Sequence, residues 1–172
     1  MNVREPMTGS PSPTFLSRFL IVTLGGRYLA LSAESICGLL TPEEAGNGEN
    51  QTAHGMVYGA INLTDRLSLP NDQGRANTRV VLLSERETRG CIRVTTVHGL
   101  LELQQSQILP LPAQFRGPER YWYRGMILFA NSIALALNTT WVLDEQVSDP
   151  EGSEGHGCTL EPVAAPKILG ER

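Results

Sequence analysis

Hydrophobic and polar residues alternate with a period of two along much of the chain between Phe15 and Asp144, which is typical of half-buried β-strands. The apolar run FLIVTL is followed by Gly25-Gly26 and then by a second run, YLALSA. Glycine supplies the positive φ that tight hairpin turns require, so these runs predict a β-hairpin. RVVLLS and GCIRVTTV, on either side of the charged turn ERETRG, predict another, and NTTWVLDE predicts a short terminal helix.

Two stretches of the chain resemble each other residue by residue. GAINLTDRLSL (59–69) and GMILFANSIAL (125–135) each contain a glycine, an alternating apolar run, a polar turn and a second alternating run. We interpret both as hairpins, with Thr64-Asp65 and Ala130-Asn131 at their turns. The motif Gly-Leu-Leu also occurs twice, in ICGLL and VHGLL, at an offset of 61 positions.

These repeats predict a chain made of two related halves, each with about five short strands. Five short, twisted strands can form a small SH3-like barrel with few open edges. The predicted fold is therefore mainly β, with two packed five-stranded SH3-like barrels and few short helices. A chance likeness between alternating runs is the alternative explanation. A 60-residue unit buries only about 60% of its unfolded surface, so the halves are expected to pack together.

Composition divides the chain into three parts. Residues 1–14 hold three prolines and several small polar residues, and residues 145–172 hold six acids against two bases. We expect a disordered lead, a folded domain of two interlocked barrel subdomains over residues 15–144, and a flexible acidic tail. The net charge of the tail is −4, which equals the net charge of the whole chain. The nearly neutral remainder argues against nucleic acid and anionic membranes as partners.

The sequence shows no catalytic or metal-binding constellation. His54, His98 and His156 are 44 or more positions apart, and neither a nucleophile elbow nor a phosphate-binding glycine motif occurs. We therefore predict no enzymatic activity, no metal and no cofactor. The loop Arg120–Tyr123 is the exception, since its aromatic and basic residues could anchor the loop, contact a protein or form an unrecognised active site.

Three widely spaced cysteines do not make a disulfide framework, which favours a reducing compartment. The N-terminal residues lack the apolar segment of a signal peptide. No apolar run reaches the roughly 18 residues of a membrane-spanning helix. We therefore expect a cytoplasmic protein without direct membrane insertion.

The order of five stretches resembles the CheW-like coupling proteins of bacterial chemotaxis. These stretches are FLIVTLGGRYLALSAESICGLL, VYGAINLTDRLSLP, RVVLLSERETRGCIRVTTVHGLL, ILPLP and YRGMILFANSIALALNTTWVL. Each motif is weak alone, whereas five in the same order are fairly specific. The resemblance spans about residues 15–144, which is three quarters of the chain.

The resemblance implies two interlocked SH3-like barrels and an adaptor without enzymatic activity. Such an adaptor binds the cytoplasmic tip of a chemoreceptor and the regulatory domain of a CheA-type histidine kinase, and is recruited to membrane-associated receptor arrays. A groove between the barrels would hold the receptor's helical hairpin. The residues expected in that groove are Ile36, Leu39, Tyr58, Ile61, Asn62, Leu63 and Thr64.

The chain departs from the family pattern at polar positions. Where the family usually has Asn-Leu-Arg-Gly, residues 62–65 are Asn-Leu-Thr-Asp, and Arg66 comes two positions later than the family's receptor-contacting arginine. Gly38 stands where an acidic residue is frequent. These departures point to a specialised receptor. The alternative is another partner, such as a response regulator or the kinase of a pilus-motility or other non-flagellar system.

Overall fold

The computed structural model describes residues 15–72 and 77–144. Its strands are β1 (Leu16–Leu24), β2 (Arg27–Ser32), β3 (Ile36–Leu40), β4 (Gln51–Ala53), β5 (Met56–Ile61), β6 (Arg79–Glu85), β7 (Thr88–Val94), β8 (Thr96–Gln104), β9 (Tyr123–Phe129) and β10 (Ser132–Leu137). Its helices are α1 (Pro42–Ala45), α2 (Leu63–Arg66), α3 (Glu119–Trp122) and α4 (Thr139–Asp144), with 3-10 turns at Ala33–Ser35 and Gln105–Gln107. The predicted disordered lead (1–14) and acidic tail (145–172) lie outside the described residues, so these domain boundaries stay a prediction.

The strands form two curled five-stranded sheets, which confirms the predicted double-barrel fold. Barrel 1 has the strand order β8-β1-β2-β10-β9, and barrel 2 has the order β3-β6-β7-β5-β4. Barrel 1 takes β1 and β2 from the first half of the sequence and β8, β9 and β10 from the second half. Barrel 2 takes β3, β4 and β5 from the first half and β6 and β7 from the second half. The barrels are therefore interlocked, and neither half of the sequence forms a barrel by itself.

Two parallel strand pairs hold the interlocked arrangement together. Strand β10 runs parallel to β2, with Leu135 beside Leu29, and β5 runs parallel to β7, with Ile61 beside Ile92. Parallel neighbours cannot be joined by a tight turn. The chain between β2 and β10 builds all of barrel 2 before it returns to complete barrel 1.

The two similar stretches do not form the same structure. Residues 125–135 lie in the predicted hairpin, β9–β10, whose turn residues Ala130 and Asn131 have φ angles of 47° and 58°. Residues 59–69 do not form a hairpin, because β5 ends at Ile61 and α2 follows. The prediction of a repeated hairpin was therefore wrong for the first copy.

Helix α2 forms because Asn62 caps it and its apolar side chains face the core. The Asn62 side-chain oxygen accepts a hydrogen bond from the Asp65 backbone N–H (3.3 Å), and the Asn62 amide donates to the Asp65 carboxylate (2.6 Å). Leu63 and Leu67 are both buried in one core cluster. Residues four positions apart share one face of a helical turn, so this spacing fits a helix as well as a strand.

The internal repeat exists, but its parts have two offsets. Strands β1 to β3 correspond to β6 to β8 at the predicted offset of 61 positions, and the three buried positions of β2 match three of the four buried positions of β7. Strand β5 corresponds to β10, since each runs parallel to the middle strand of its barrel. Each is followed by an asparagine and a short helix, so Asn62 corresponds to Asn138, 76 positions later.

The largest hydrophobic core lies between the barrels, and both barrels contribute to it. Strand β1 directs Phe19 and Ile21 into barrel 1 and Leu20 and Val22 into this shared core. Strand β6 divides its side chains in the same way between barrel 2 and the shared core. Because both faces of these strands are buried, their segments FLIV and VVLL are continuous apolar runs.

Arg66 connects α2 to α4 at the edge of the shared core. Its guanidinium donates hydrogen bonds to the carbonyl oxygens of Trp141 (3.0 Å) and Val142 (2.6 Å). The same group lies 4.0 Å from the centroid of the Trp141 ring, which is a cation–π contact. Trp141 stacks in turn on Trp122, with ring centroids 5.2 Å apart. The side chain thus satisfies carbonyl groups that a helix end leaves without intrahelical partners.

We expect Arg66→Ala to lower the free energy of unfolding by about 2–3 kcal/mol. The substitution removes the donors of two part-buried hydrogen bonds and the cation–π contact. Urea unfolding measures the loss. The matched control is Arg89→Ala, which removes an exposed arginine from β7 and should change stability by less than about 0.5 kcal/mol. Equal midpoints for the two variants would contradict the role of Arg66.

Candidate functional site

An open apolar groove lies where the two barrels meet. It has a volume of about 520 Å³ and is formed by β1, β8, β3 and the 3-10 turn that precedes β3. The residues that line it are Arg18, Leu20, Ala33, Ile36, Leu39, Val97, Gly99 and Leu100. Leu39 is 44% exposed and Leu100 is 62% exposed. Large apolar side chains that face solvent side by side indicate an interaction surface.

A β-bulge in each barrel places the groove residues on one face. The pairing of β3 with β6 skips Cys37, which is the extra residue of a bulge. In a regular strand, residues three positions apart point to opposite faces, and a bulge removes this alternation. Ile36 and Leu39 can therefore line the same groove. Strand β8 has an equivalent bulge at His98, which corresponds to Cys37 at the repeat offset of 61 positions.

The internal repeat supplies both walls of the groove. Val97 and Leu100 of β8 correspond to Ile36 and Leu39 of β3, and all four residues line the groove. Leu20 pairs with Leu100 in the register between β1 and β8, and it forms part of the floor that belongs to the shared core. The repeated motifs ICGLL and VHGLL therefore mark the two walls, and this signal could have revealed the second wall from the sequence.

The structure distributes the seven predicted groove residues over different places. Ile36 and Leu39 line the groove. Four others are buried, with exposed fractions of 8% or less: Tyr58, Ile61, Leu63 and Thr64. Asn62 is exposed, but its side chain caps α2. The lining residues that the sequence did not single out are Arg18, Leu20, Ala33, Val97, Gly99 and Leu100. A role of the seven residues in partner binding stays a prediction.

Residues 61–64 lie beside a second, smaller cleft of barrel 2. This cleft has a volume of about 240 Å³, and Arg93 contributes to its wall. Tyr58 lies in the core cluster of barrel 2 and is 1% exposed. Burial raises the pKa of the Tyr58 phenol, and a hydrogen bond with Cys37 raises it further. The phenol is therefore neutral at physiological pH, and Tyr58 contributes to packing.

We expect Ile61→Asp to lower the free energy of unfolding by roughly 3–5 kcal/mol, because it removes a core side chain and buries an unpaired carboxylate. Urea unfolding measures this change. If the variant unfolds, a loss of partner binding reflects the loss of the fold and not the loss of a contact. Val57→Asp is the control, since Val57 lies on the same strand and is 60% exposed. If the two variants unfolded at the same urea concentration as the wild type, Ile61 would not belong to the core.

The aromatic segment at 120–123, predicted as a loop, forms the end of α3 and the first residue of β9, and two of its rings hold it to the core. Tyr123 is buried, and this burial raises the pKa of its phenol. Trp122 stacks on Trp141 of α4. Tyr121, in contrast, is 73% exposed. These contacts support the interpretation of the loop as an anchor between barrel 1 and the shared core.

The features above define a class of β domain in which two interlocked barrels leave an open apolar groove between them. Among residues 15–72 and 77–144, no group of three or more His, Cys, Asp or Glu side chains could hold a metal ion. In the same ranges, none of the helices has the length and apolar character needed to cross a membrane.

The family model of the CheW-like domain matches residues 18–147. The chain therefore belongs to the CheW-like domain family. Its fold is similar to the crystal structure of the scaffolding protein TtCheW from Thermoanaerobacter tengcongensis, with a TM-score of 0.59 and 13% sequence identity. This similarity covers 72% of the chain and 90% of TtCheW. No curated protein matches the chain. Membership of the family supports a coupling or scaffolding role in chemotaxis.

Proposed function

We propose that the chain is a non-catalytic adaptor that couples the cytoplasmic tip of a chemoreceptor to the regulatory domain of a CheA-type histidine kinase. The adaptor acts in the cytoplasm, where it is recruited to membrane-associated receptor arrays. The observation that carries this proposal is the apolar groove with exposed leucines on both walls. Membership of the CheW-like domain family supports the same role.

The groove has the chemistry to hold an amphipathic helix of the receptor tip. Such a helix presents apolar side chains at positions i, i+3, i+4 and i+7 as one stripe. Leu39 and Leu100 would pack against this stripe and lose contact with water. Full burial of one such side chain contributes about 1.5–3 kcal/mol, from which the entropic cost of association is subtracted.

The position of the family's receptor-contacting arginine is part of the interior in this chain. Thr64 occupies it and is 3% exposed, while the neighbouring Asp65 is hydrogen-bonded to Asn62. Arg66 points to α4. Receptor recognition would therefore depend on the groove, which favours a specialised receptor. The alternative partners remain a response regulator and the kinase of a pilus-motility or other non-flagellar system.

A second apolar surface, on barrel 1, suits the kinase. Leu128 of β9 and Ile133 of β10 are direct cross-strand neighbours and are 69% and 49% exposed. Beside them, Phe115 and Met126 line an apolar depression of about 410 Å³. This depression shares no lining residue with the groove. Receptor and kinase could then bind at the same time, as an adaptor requires.

We expect Leu39→Asp and Leu100→Asp each to weaken binding of a receptor cytoplasmic-tip fragment, encoded in the same genome, by about tenfold or more. Each substitution places a charge where an apolar contact forms, and a tenfold loss equals about 1.4 kcal/mol. Titration calorimetry measures the affinity, and thermal unfolding checks that the variants fold. Val57→Asp, at an exposed position away from the groove, should stay within about twofold. Unchanged affinity in both groove variants would overturn the receptor assignment.

We expect Ile133→Asp to abolish binding of the isolated kinase regulatory domain and to leave binding of the receptor fragment unchanged. Leu39→Asp should have the reverse effect, because the two surfaces are separate. Size-exclusion chromatography with each partner distinguishes the two patterns. Loss of both partners in a folded Ile133→Asp variant would contradict the assignment of separate faces.

A further inference from the structure

Arg18 of β1 lies at one end of the groove, where the apolar lining stops. It is the only charged residue among the described residues that line the groove. Arg18 also lines an adjoining pocket of about 220 Å³ with polar and apolar side chains in its wall, so the groove and this second pocket are continuous at this residue. Since Arg18 is exposed, a partner that enters the groove can reach its guanidinium.

This second pocket lies at the end of barrel 1, where β1 begins, β2 ends and β9 begins. Its apolar lining residues are Phe19, Ile108, Ala136 and Leu137. Arg18 and Arg124 line it together with one carboxylate, that of Glu34, so positive charge is in excess. The remaining polar side chains of its wall belong to Ser17, Ser32 and Gln105. Glu102 lies opposite Arg18 in the register between β1 and β8, but it does not line the pocket.

Arg124 retains donors that an anion can use. Its Nε and Nη2 groups donate long hydrogen bonds of 3.4 Å to the side-chain oxygen of Asn138. A guanidinium has five N–H donors, and the serine hydroxyl groups of the pocket can donate as well. The pocket therefore combines two cations with neutral donors, which is an arrangement that suits a carboxylate.

We propose that this pocket binds a carboxylate side chain of the same helix that fills the groove. The partner is then an amphipathic helix with an acidic residue beside its apolar stripe. This inference rests on the proposed function, because the occupant of the groove supplies the carboxylate. The planar guanidinium of Arg18 can donate two parallel hydrogen bonds to one carboxylate, which fixes the direction and register of the helix.

The geometry of β1 sets the place of the acidic residue in the partner. Arg18 and Leu20 are two positions apart in a strand, which corresponds to roughly 6.6 Å. One turn of an α-helix advances about 5.4 Å. A helix that lies along β1 and packs an apolar side chain on Leu20 thus brings a residue three or four positions away to Arg18. The recognised pattern is an apolar residue with Asp or Glu at i±3 or i±4.

The positive end of the groove also discriminates against basic helices. A lysine or arginine at the same place in the partner would meet Arg18 and Arg124, and like charges in contact weaken binding. The effect on affinity is expected to be about three- to tenfold, since exposed ion pairs are weak and salt screens them.

The test uses the full-length chain and the receptor cytoplasmic-tip fragment. Arg18→Glu should weaken binding about tenfold at low salt, and the difference from wild type should shrink at high salt. Glu34→Gln removes the pocket's own carboxylate and should strengthen binding about two- to threefold. Arg89→Glu makes the same charge change as Arg18→Glu at an exposed position of β7 and should stay within about twofold.

Charge reversal in the receptor fragment identifies the partner residue. Each Asp and Glu of the fragment is changed to Arg in turn, and one change should weaken binding to wild type and be compensated by Arg18→Glu. If Arg18→Glu binds as tightly as wild type while Leu39→Asp abolishes binding, the carboxylate inference is wrong and the proposed function stands. If the fragment does not bind, or if neither variant affects binding, the assignment of the groove to the receptor is wrong, and the carboxylate inference is wrong with it.

Discussion

The shared core between the barrels is the constraint on which the rest of the structure depends. Strands β1 and β6 are buried on both faces, because one face lines a barrel and the other packs against the opposite barrel. Separation of the barrels would expose Leu20, Val22, Val81 and Leu83 to water at a cost of about 25 cal/mol per Å² of apolar surface. Each barrel has only a small core of its own, so a single barrel lacks the buried area that a small domain needs. The interlocked strand order and the contact of Arg66 with α4 both keep this shared core closed.

The groove follows from the way in which the barrels meet. Strands β3 and β8 are edge strands of their sheets, and each has a bulge at the same place in the repeat. The bulges direct Leu39 and Leu100 outward beside the shared core, so the floor of the groove is buried while its rim is exposed. Because its walls are strands and not loops, the groove exists without a partner, which would lower the entropic cost of the proposed association. Arg18 adds a charged end to the groove, and in the proposed complex this charge would orient the partner, which apolar contact alone does not do.

Most of the residues that line the candidate site could not be predicted from the sequence, for identifiable physical reasons. Ile36 and Leu39 were found because they lie in a stretch that resembles the family. The sequence prediction placed four buried residues in the groove: Tyr58, Ile61, Leu63 and Thr64. The reason is that the face to which a residue of an alternating run points is unknown until its strand partners are known. Val97 and Leu100 were missed although the repeat of ICGLL in VHGLL pointed to them, since the bulges that turn both walls to one side appear only in the strand pairing.

The sequence by itself determined most of the strands, the β1–β2, β6–β7 and β9–β10 hairpins, the terminal helix and the double-barrel class. Period-two alternation, glycine turns and motif order are local signals, and they survive in any packing of the chain. Tertiary structure decided that residues 63–66 form a helix, because the apolar spacing fits both a strand and a helical turn, and burial of Leu63 and Leu67 in the shared core selects the helix. Tertiary structure also decided which strands share a barrel and where the groove lies. Both depend on contacts between residues far apart in the sequence, which no local pattern records.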